Sequence, residues 1–489
     1  MTREVVHSVF EETPEAVSRR LGESPPACAL VEIRADRLRA ADVAGLVRRA
    51  GRPVAVAVRS PADGGSFDGS TEEKRAILGA AFEAGSAFVD LEWDGPLREL
   101  ADGPWATRTI LSHHGAPCDP STLAALFDAM AGTKAARLKI VPRAARPPEL
   151  RAVRDLLARA RGARRALCSF ALGQAGTWSR VIALSWGSWG VYGAAVRGRE
   201  TGEGQFTTRE MLDVYRVLEI SDSTRWFGLC GTPLVDSPSP ALHAAGYRDL
   251  GLDAVYVPVA TGDLADVAAI VEEDGLLPLS GFGVTIPLKE PAARRCARLD
   301  PYAACGSANT VLVGEGGWEG FNTDAPAALA LIRKHLDPLG KAAAIVGAGG
   351  TARAIAAALK EAGAFVTLFC RSVPRGDETA RALGVASAPL AALPAALWDL
   401  LVQATPAGRN GEEVLLRRYL DGCMVLDAAY GAEPTPLVRA ARARGLAVAD
   451  GLDLLAEQAV LQFTRLTGRP APRDAMAAAL EPWRASSSA

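Results

Sequence analysis

Along roughly the first 215 residues, short apolar runs alternate with stretches whose apolar positions recur every three or four residues. The runs predict strands at Ala29 to Arg34, Val54 to Arg59, Phe88 to Glu92, Thr109 to His113, Arg137 to Val141, Ala166 to Phe170 and Val181 to Leu184, with an eighth near Val191 to Val196. The helical period covers Glu73 to Glu83, Ser121 to Ala131 and Pro148 to Arg159. Strands alternating with helices imply a parallel sheet. Eight such units in about 215 residues predict a (β/α)8 TIM barrel.

A polar stretch, Glu219 to Arg225, interrupts this pattern and reads as a linker. A second α/β pattern then opens with Trp226 to Cys230, Ala254 to Val259 and Phe282 to Ile286. A helical run follows at Pro326 to His335. The apolar strand Ala342 to Val346 leads into Gly347-Ala348-Gly349-Gly350-Thr351 and a helix, and Ala364 to Phe369 makes the next strand. That strand, glycine turn and helix is the context in which a G-x-G-G sequence cradles a pyrophosphate.

Composition narrows the class. The chain has 489 residues, 49% apolar and 22% charged, as soluble globular proteins do. Its 54 basic and 56 acidic residues give a net charge of −2, too balanced to attract nucleic acid or an anionic membrane. No stretch offers the ~18 uninterrupted apolar residues of a membrane span, since Val181 to Val196 is broken by Ser and Gly. Arg3, Glu4, Glu11, Glu12 and Arg19 make the N-terminus unlike a signal or transit peptide. The eight Cys form no CxxC pair and the five His are scattered, so reduced thiols and no metal are expected. The picture is a cytoplasmic enzyme for small molecules, with no obligate protein partner.

Charged residues punctuate the barrel strands. Glu32, Arg34, Arg59, Glu92, His114 and Lys139 fall at or just past predicted strand ends, the face where barrel enzymes hold their chemistry. Lys139 stands alone in an apolar strand. Burial disfavours a charged amine, and a neutral amine attacks a ketone to form an imine. His114 is placed to act as general base. Arg34, Arg59 and Arg180 suit a carboxylate, whose two oxygens match the guanidinium fork. In the second half, Lys289 and Asp324 stand at two loop tips where a proton donor could meet a carbonyl. Arg371, Ser372 and Arg375 follow the second dinucleotide strand, where an acidic residue would favour NAD and arginines favour the 2′-phosphate of NADP.

These motifs together resemble known families. Glu32-Ile-Arg34-Ala-Asp36, Arg59-Ser60 with Asp63-Gly-Gly65, Asp90-Leu-Glu92, Ser112-His113-His114, Leu138-Lys139-Ile140, Ser179-Arg180 and Gly204-Gln205 resemble, in order, type I 3-dehydroquinate dehydratase over about residues 5–215. The resemblance implies an imine on Lys139, His114 as base with Asp63 beside it, and substrate contacts from Glu32, Arg34, Arg59, Arg180, Thr201 and Gln205. Asp63 stands where that family usually has Glu, and Glu203 puts a negative charge into the final loop.

The second half is similar to shikimate dehydrogenase over about residues 226–485. The matching motifs are Ser237-Pro-Ser239-Pro240, Val284-Thr285-x-Pro-x-Lys289, Ser307-Ala-Asn309-Thr310, Asn322-Thr323-Asp324, Gly347 to Ala354, Ala404-Thr405-Pro406-x-Gly408, Asp427 to Tyr430, and Asp450-Gly451 with Gln458. The resemblance implies that Lys289 and Asp324 are the catalytic pair. It implies substrate contacts from Ser237, Ser239, Thr285, Asn309, Tyr430 and Gln458. NADP would rest on Gly347, Ala348, Gly349, Gly350, Thr351, Arg371, Ser372, Arg375, Thr405 and Gly451. Asp236, Ala244, Gly283 and Ala327 depart from the family pattern, and Gly283 in place of Asn removes a hydrogen bond typically worth about 1 kcal/mol.

The expected organisation is an α/β chain in four parts. A barrel spans 1–218 and a linker 219–225. A substrate-binding lobe spans 226–330, completed by C-terminal helices at 450–485, and a Rossmann NADP-binding lobe spans 331–449. The implied activities are consecutive: 3-dehydroquinate to 3-dehydroshikimate, then NADPH-dependent reduction to shikimate. The rival readings are a non-catalytic ligand sensor on the same folds and a fusion that oxidises quinate or shikimate with NAD.

Overall fold

The structure, a computed structural model, describes residues 3–234, 237–273, 275–412, 422–431 and 433–486. The chain divides between Thr224 and Arg225 into two compact units, except that Val257–Thr261 and Ala265–Leu277 group with the first.

The first unit is built on eight strands: β1 (Glu4–Val9), β2 (Leu30–Arg34), β3 (Val54–Ala57), β4 (Phe88–Glu92), β5 (Thr109–Pro117), β6 (Arg137–Arg143), β7 (Leu167–Ser169) and β8 (Gly190–Ala194). Their order is β7-β6-β5-β4-β3-β2-β1-β8, and every ladder between them is parallel. The seam between β7 and β8 carries no ladder. It is held by the Trp189 amide on the Leu167 carbonyl at 3.1 Å and the Ser169 amide on the Ser188 hydroxyl at 3.2 Å. β2 and β8 are buried at every position, so β8 reads as a continuous apolar run, while β2 buries the charged Glu32 and Arg34 as well.

One predicted strand is a helix. Val181 to Leu184 lies in the helix Ser179–Trp186, six of whose residues are buried. A short run that is apolar all round does not distinguish a buried helix from a strand. The strand that completes the barrel is instead β1 at the N-terminus. Glu4, His7 and Ser8 disguise it, because their side chains bond within the unit: Glu4 to Arg137, His7 to Thr208 and Ser8 to Glu32.

From Arg225 onward the chain forms two further sheets. One contains β9 (Arg225–Gly231), β10 (Ala254–Ala260), β11 (Leu279–Val284), β12 (Arg298–Leu299), β13 (Thr310–Gly314) and β14 (Gly317–Phe321), in the order β10-β9-β11-β13-β14-β12. β11 runs parallel to β9 and antiparallel to β13, so this sheet is mixed. The other contains β15 (Ala342–Val346), β16 (Phe365–Cys370), β17 (Ala386–Pro389), β18 (Leu400–Gln403), β19 (Met424–Asp427) and β20 (Ala447–Ala449). Its order is β17-β16-β15-β18-β19-β20, and all its ladders are parallel. That is the doubly wound dinucleotide order, and its ligand crevice opens where the order reverses, between β15 and β18. The helix Gly451–Thr467 returns to pack on the mixed sheet and on the helix Ser239–Asp249. Among the described residues no helix is long and apolar enough to cross a membrane.

Candidate active sites

Lys139 is the third residue of β6 and 5% exposed. Its Nζ lies 3.7 Å from Glu32 Oε1 on β2 and 3.7 Å from the ring centroid of Tyr192 on β8. The Ser8 hydroxyl donates to Glu32 Oε2 at 2.5 Å. Burial raises the Glu32 pKa, but Lys139 and Arg34 outweigh it and hold the group below its ordinary range. A carboxylate and an aromatic face beside one amine stabilise a cation at that nitrogen.

On the neighbouring strand β5, His114 Nδ1 is 3.1 Å from Asp63 Oδ2, and the His114 amide donates to Asp63 Oδ1 at 3.2 Å. Arg59 joins this pair to the centre. It donates to Asp63 at 2.6 Å, to the Ser112 hydroxyl at 2.5 Å and to Asp90 at 2.5 Å. Burial, with help from Arg59 and Lys139, pushes the His114 pKa down to about 3, while Asp63 opposes it. Burial raises Asp63, but the His114 hydrogen bond and Arg59 outweigh it and keep the carboxyl ionised. With Nδ1–H assigned to Asp63, His114 is neutral and its Nε2 lone pair is available to accept a proton. The shorter reach of Asp63 therefore does not break this contact.

The three candidate arginines are not equivalent. Arg34 places two donors on Asp36, at 3.2 and 2.7 Å. Arg59 is occupied by Asp63 and Asp90. Arg180 is 2% exposed, and among the described residues no carboxylate pairs with it. It donates to the Glu203 carbonyl at 3.2 Å and stacks on Phe170, and burial pulls its pKa down to about 9. A buried guanidinium in that condition attracts an anion. The final loop frames it. Thr201 donates its amide to Gln205 Oε1 at 2.6 Å, and Gln205 donates to the Tyr192 carbonyl at 3.1 Å. The Glu203 carboxylate turns outward to Arg143 at 2.5 Å, both side chains being about half exposed, so its charge is neutralised away from Arg180.

In the second unit Lys289 Nζ donates to Asp324 Oδ2 at 2.5 Å and to Thr351 Oγ1 at 3.0 Å. Asn309 Nδ2 donates to Asp324 Oδ1 at 2.8 Å and to Thr323 Oγ1 at 2.9 Å. Gln458 Oε1 accepts from Thr323 Oγ1 at 3.3 Å. The sequence thus brings Lys289, Asp324, Asn309 and Gln458 into one polar cluster. Ser237 and Ser239 form a second group, with their hydroxyls 3.3 Å apart, and Ser237 also bonds Tyr430, whose pKa burial raises. Thr285 stands just past β11, its amide on the Cys230 carbonyl at 2.9 Å. Asp236 lies outside the described residues.

The glycine turn sits at the sheet reversal. Gly347 has φ +118°, and a Cβ there would lie 3.0 Å from Thr405 Cγ2. A Cβ on Gly350 would lie 2.7 Å from Ser307 Oγ and 3.0 Å from Lys289 Cβ, so only glycine lets the turn approach the lysine. The helix Gly350–Glu361 that follows has no side-chain cap, which leaves its first amides for a phosphate. Ala348 and Gly349 complete the turn, and Thr351 opens the helix with its hydroxyl on Lys289. Arg371, Ser372 and Arg375 are exposed past β16, and Arg375 donates to Glu290 at 3.0 Å. Gly451 begins the returning helix, and a Cβ there would lie 2.4 Å from the Ala429 carbonyl.

Sequence reasoning missed Tyr192, Ser8 and Gln462. Tyr192 sits on β8, near but not at a charged strand end, and Ser8 on β1, which the apolar pattern does not mark. Gln462 donates to the Asn309 carbonyl at 3.2 Å and to Thr310 at 3.0 Å, and accepts from Tyr256 at 3.0 Å. Its spacing of four from Gln458, which puts both on one helix face, was the available signal.

A barrel with a buried lysine facing a neutral histidine, followed by a dinucleotide fold with a Lys–Asp pair, defines a two-site α/β enzyme. Residues 5–222 match the family described as Type I 3-dehydroquinase. Residues 229–311 match the shikimate dehydrogenase substrate binding domain, and 451–481 the shikimate 5′-dehydrogenase C-terminal domain. The shikimate dehydrogenase (NADP(+)) of Acidiphilium cryptum is 41% identical over 256 residues, which cover 51% of this chain and 92% of that protein. That of Anaeromyxobacter sp. (strain Fw109-5) is 38% identical over 274 residues, 53% of this chain and 97% of that protein. The chloroplastic bifunctional 3-dehydroquinate dehydratase/shikimate dehydrogenase of Arabidopsis thaliana is 28% identical over 482 residues, 91% of this chain and 78% of that protein. The chain belongs to the shikimate dehydrogenase family and carries a type I 3-dehydroquinase unit ahead of it.

Proposed function

We propose that the chain catalyses two consecutive steps of the shikimate pathway, as a lyase and then an oxidoreductase. It dehydrates 3-dehydroquinate to 3-dehydroshikimate in the barrel and reduces that product to shikimate with NADPH in the second unit. The observation that carries this is the pairing of the two sites: Lys139 opposite a neutral His114, and Lys289 on Asp324 at 2.5 Å against the glycine turn.

In the barrel, Arg180 takes the substrate carboxylate. Thr201 and Gln205 cover it, and Arg34 and Arg59 order the acidic side chains of the mouth. Lys139 Nζ adds to the ketone carbon and expels its oxygen as water, leaving a cationic imine against Glu32 and Tyr192. His114 Nε2 removes a proton from the adjacent carbon, and the electron pair moves into the imine. The β-hydroxyl leaves as a second water with that proton. Water then hydrolyses the imine, which frees the amine and the enone product. Asp63 holds the His114 tautomer throughout.

In the second unit, Ser237, Ser239, Thr285, Asn309, Tyr430 and Gln458 bind and orient the substrate. The residues fit NADP: Gly347 to Thr351 for the pyrophosphate, Arg371, Ser372 and Arg375 for the 2′-phosphate, and Thr405 and Gly451 near the nicotinamide arm. When bound, NADPH supplies two electrons as hydride. Lys289 gives its proton to the carbonyl oxygen, and Asp324 holds that amine in place. The reading assigns 1–218 to the dehydratase, 219–225 to a linker, 226–330 with 450–485 to the substrate lobe and 331–449 to the cofactor lobe, supported by the three separate sheets. A cytoplasmic location is supported by eight unpaired cysteines.

The test is one cuvette of purified protein, 3-dehydroquinate and NADPH. Loss of nicotinamide absorbance that requires 3-dehydroquinate supports both activities. Its absence, with 3-dehydroshikimate as alternative substrate also inert, sinks the reductase half. Turnover of 3-dehydroshikimate alone sinks the dehydratase half.

A further inference from the structure

The proposed 2′-phosphate loop contains a contact that NADP binding does not use. Arg375, in the first turn of the helix Val373–Leu383, donates from Nη2 to Glu290 Oε1 at 3.0 Å. Glu290 is the residue after Lys289, on the helix Lys289–Arg295 of the substrate lobe. Arg371 and Ser372 lie at the same strand end and are exposed. A guanidinium recognises a phosphate or a carboxylate through the same fork of donors, so an arm held by one is lost to the other. Neither Glu290 nor Arg375 is deeply buried, at 25% and 59% side-chain exposure, so the pair exchanges partners with water nearby.

We propose that Glu290 is a specificity-determining residue that competes, within the chain, with the cofactor's 2′-phosphate for Arg375. The proposal rests on reading the second site as NADP-dependent. A doubly charged phosphate wins Arg375 from a single carboxylate, so Glu290 lowers the preference for NADP over NAD without abolishing it. The exchange has a second effect. The ion pair ties the helix that carries Lys289 to the cofactor loop, and arrival of the 2′-phosphate releases that tie. Cofactor choice and the freedom of the catalytic helix are coupled through one side chain.

The experiment is calorimetric titration of the full chain with 2′,5′-ADP and with 5′-AMP, which differ by the 2′-phosphate alone. If the wild-type protein binds both equally, the NADP reading itself fails. Given a preference for 2′,5′-ADP, E290Q tightens its binding by about two- to fivefold, the range expected from removing an exposed ion pair, and leaves 5′-AMP unchanged. In an R375A background the same substitution has no effect. Three outcomes overturn the proposal: unchanged or weaker 2′,5′-ADP binding in E290Q, equal tightening of both nucleotides, or a gain that persists in R375A.

Discussion

At the residue scale, the proposed barrel chemistry rests on two side chains. Lys139 is the amine that the carboxylate and the aromatic ring are arranged around. Borohydride added with 3-dehydroquinate should trap one covalent adduct per chain, and Lys139→Ala should abolish it. An adduct that survives in Lys139→Ala places the imine elsewhere. His114 carries a pH prediction. Its pKa falls from an ordinary 6.5 to about 3 in the fold, chiefly by burial. Dehydratase kcat/KM, which reports the free enzyme, should therefore show no acid limb near pH 6.5. The same shift acts on stability. As pH falls below 6.5 the unfolded chain takes up a proton that the folded chain refuses, so stability present above 6.5 is lost towards pH 3. Denaturant unfolding at pH 7 and pH 5 should show that loss, and it should be smaller in His114→Asn. Equal losses in the two proteins would show that His114 is not held neutral.

At the element scale, the sequence was most legible where a strand had its own boundary signals. Ala342 to Val346 is predicted and observed with the same ends, because a glycine turn closes it. Val181 to Leu184 and β1 were misread for opposite reasons. A helix buried on most of its surface has no exposed polar face to betray its period, and β1 carries polar side chains whose partners lie far off in the chain. Charged residues within apolar strands, such as Lys139 on β6 and His114 on β5, could be singled out from the sequence. Contacts made through tertiary pairing, such as Ser8 on Glu32 or Gln462 behind Asn309, could not, since no local spacing encodes them. The departure at Gly283 is of this kind. From sequence it is a missing hydrogen bond. In the structure a Cβ on this β11 residue would lie 2.4 Å from the Tyr256 hydroxyl and 2.9 Å from Gln462, so the space for a side chain is filled. Gly283→Asn should therefore destabilise the protein by about 1–3 kcal/mol through overpacking, measured by denaturant melting. A neutral or stabilising result would mean that Tyr256 and Gln462 yield at no cost.

At the scale of the whole molecule, all eight barrel strands lie within Glu4 to Ala194, and the residues proposed for the first reaction end at Gln205. Cleavage engineered between Glu219 and Arg225 should release an N-terminal fragment that still dehydrates 3-dehydroquinate. A fragment that folds by circular dichroism yet lacks activity would show that the first site needs the second half of the chain. A second distinction follows from composition. Apolar strands and charged strand ends announce a barrel and a dinucleotide fold, but no property of the chain as a whole distinguishes one substrate from another. That information sits in some twenty side chains.

β1 pairs with β2 on one side and β8 on the other, so β1 waits for β8 before it has both neighbours. The mixed sheet waits longer, because its covering helix, Gly451–Thr467, follows all of its own strands and the whole dinucleotide sheet in the chain. Translation therefore imposes a schedule on the two catalysts. The dehydratase can mature while the ribosome is still reading the reductase, and a stop ahead of Gly451 spares the first reaction while disabling the second.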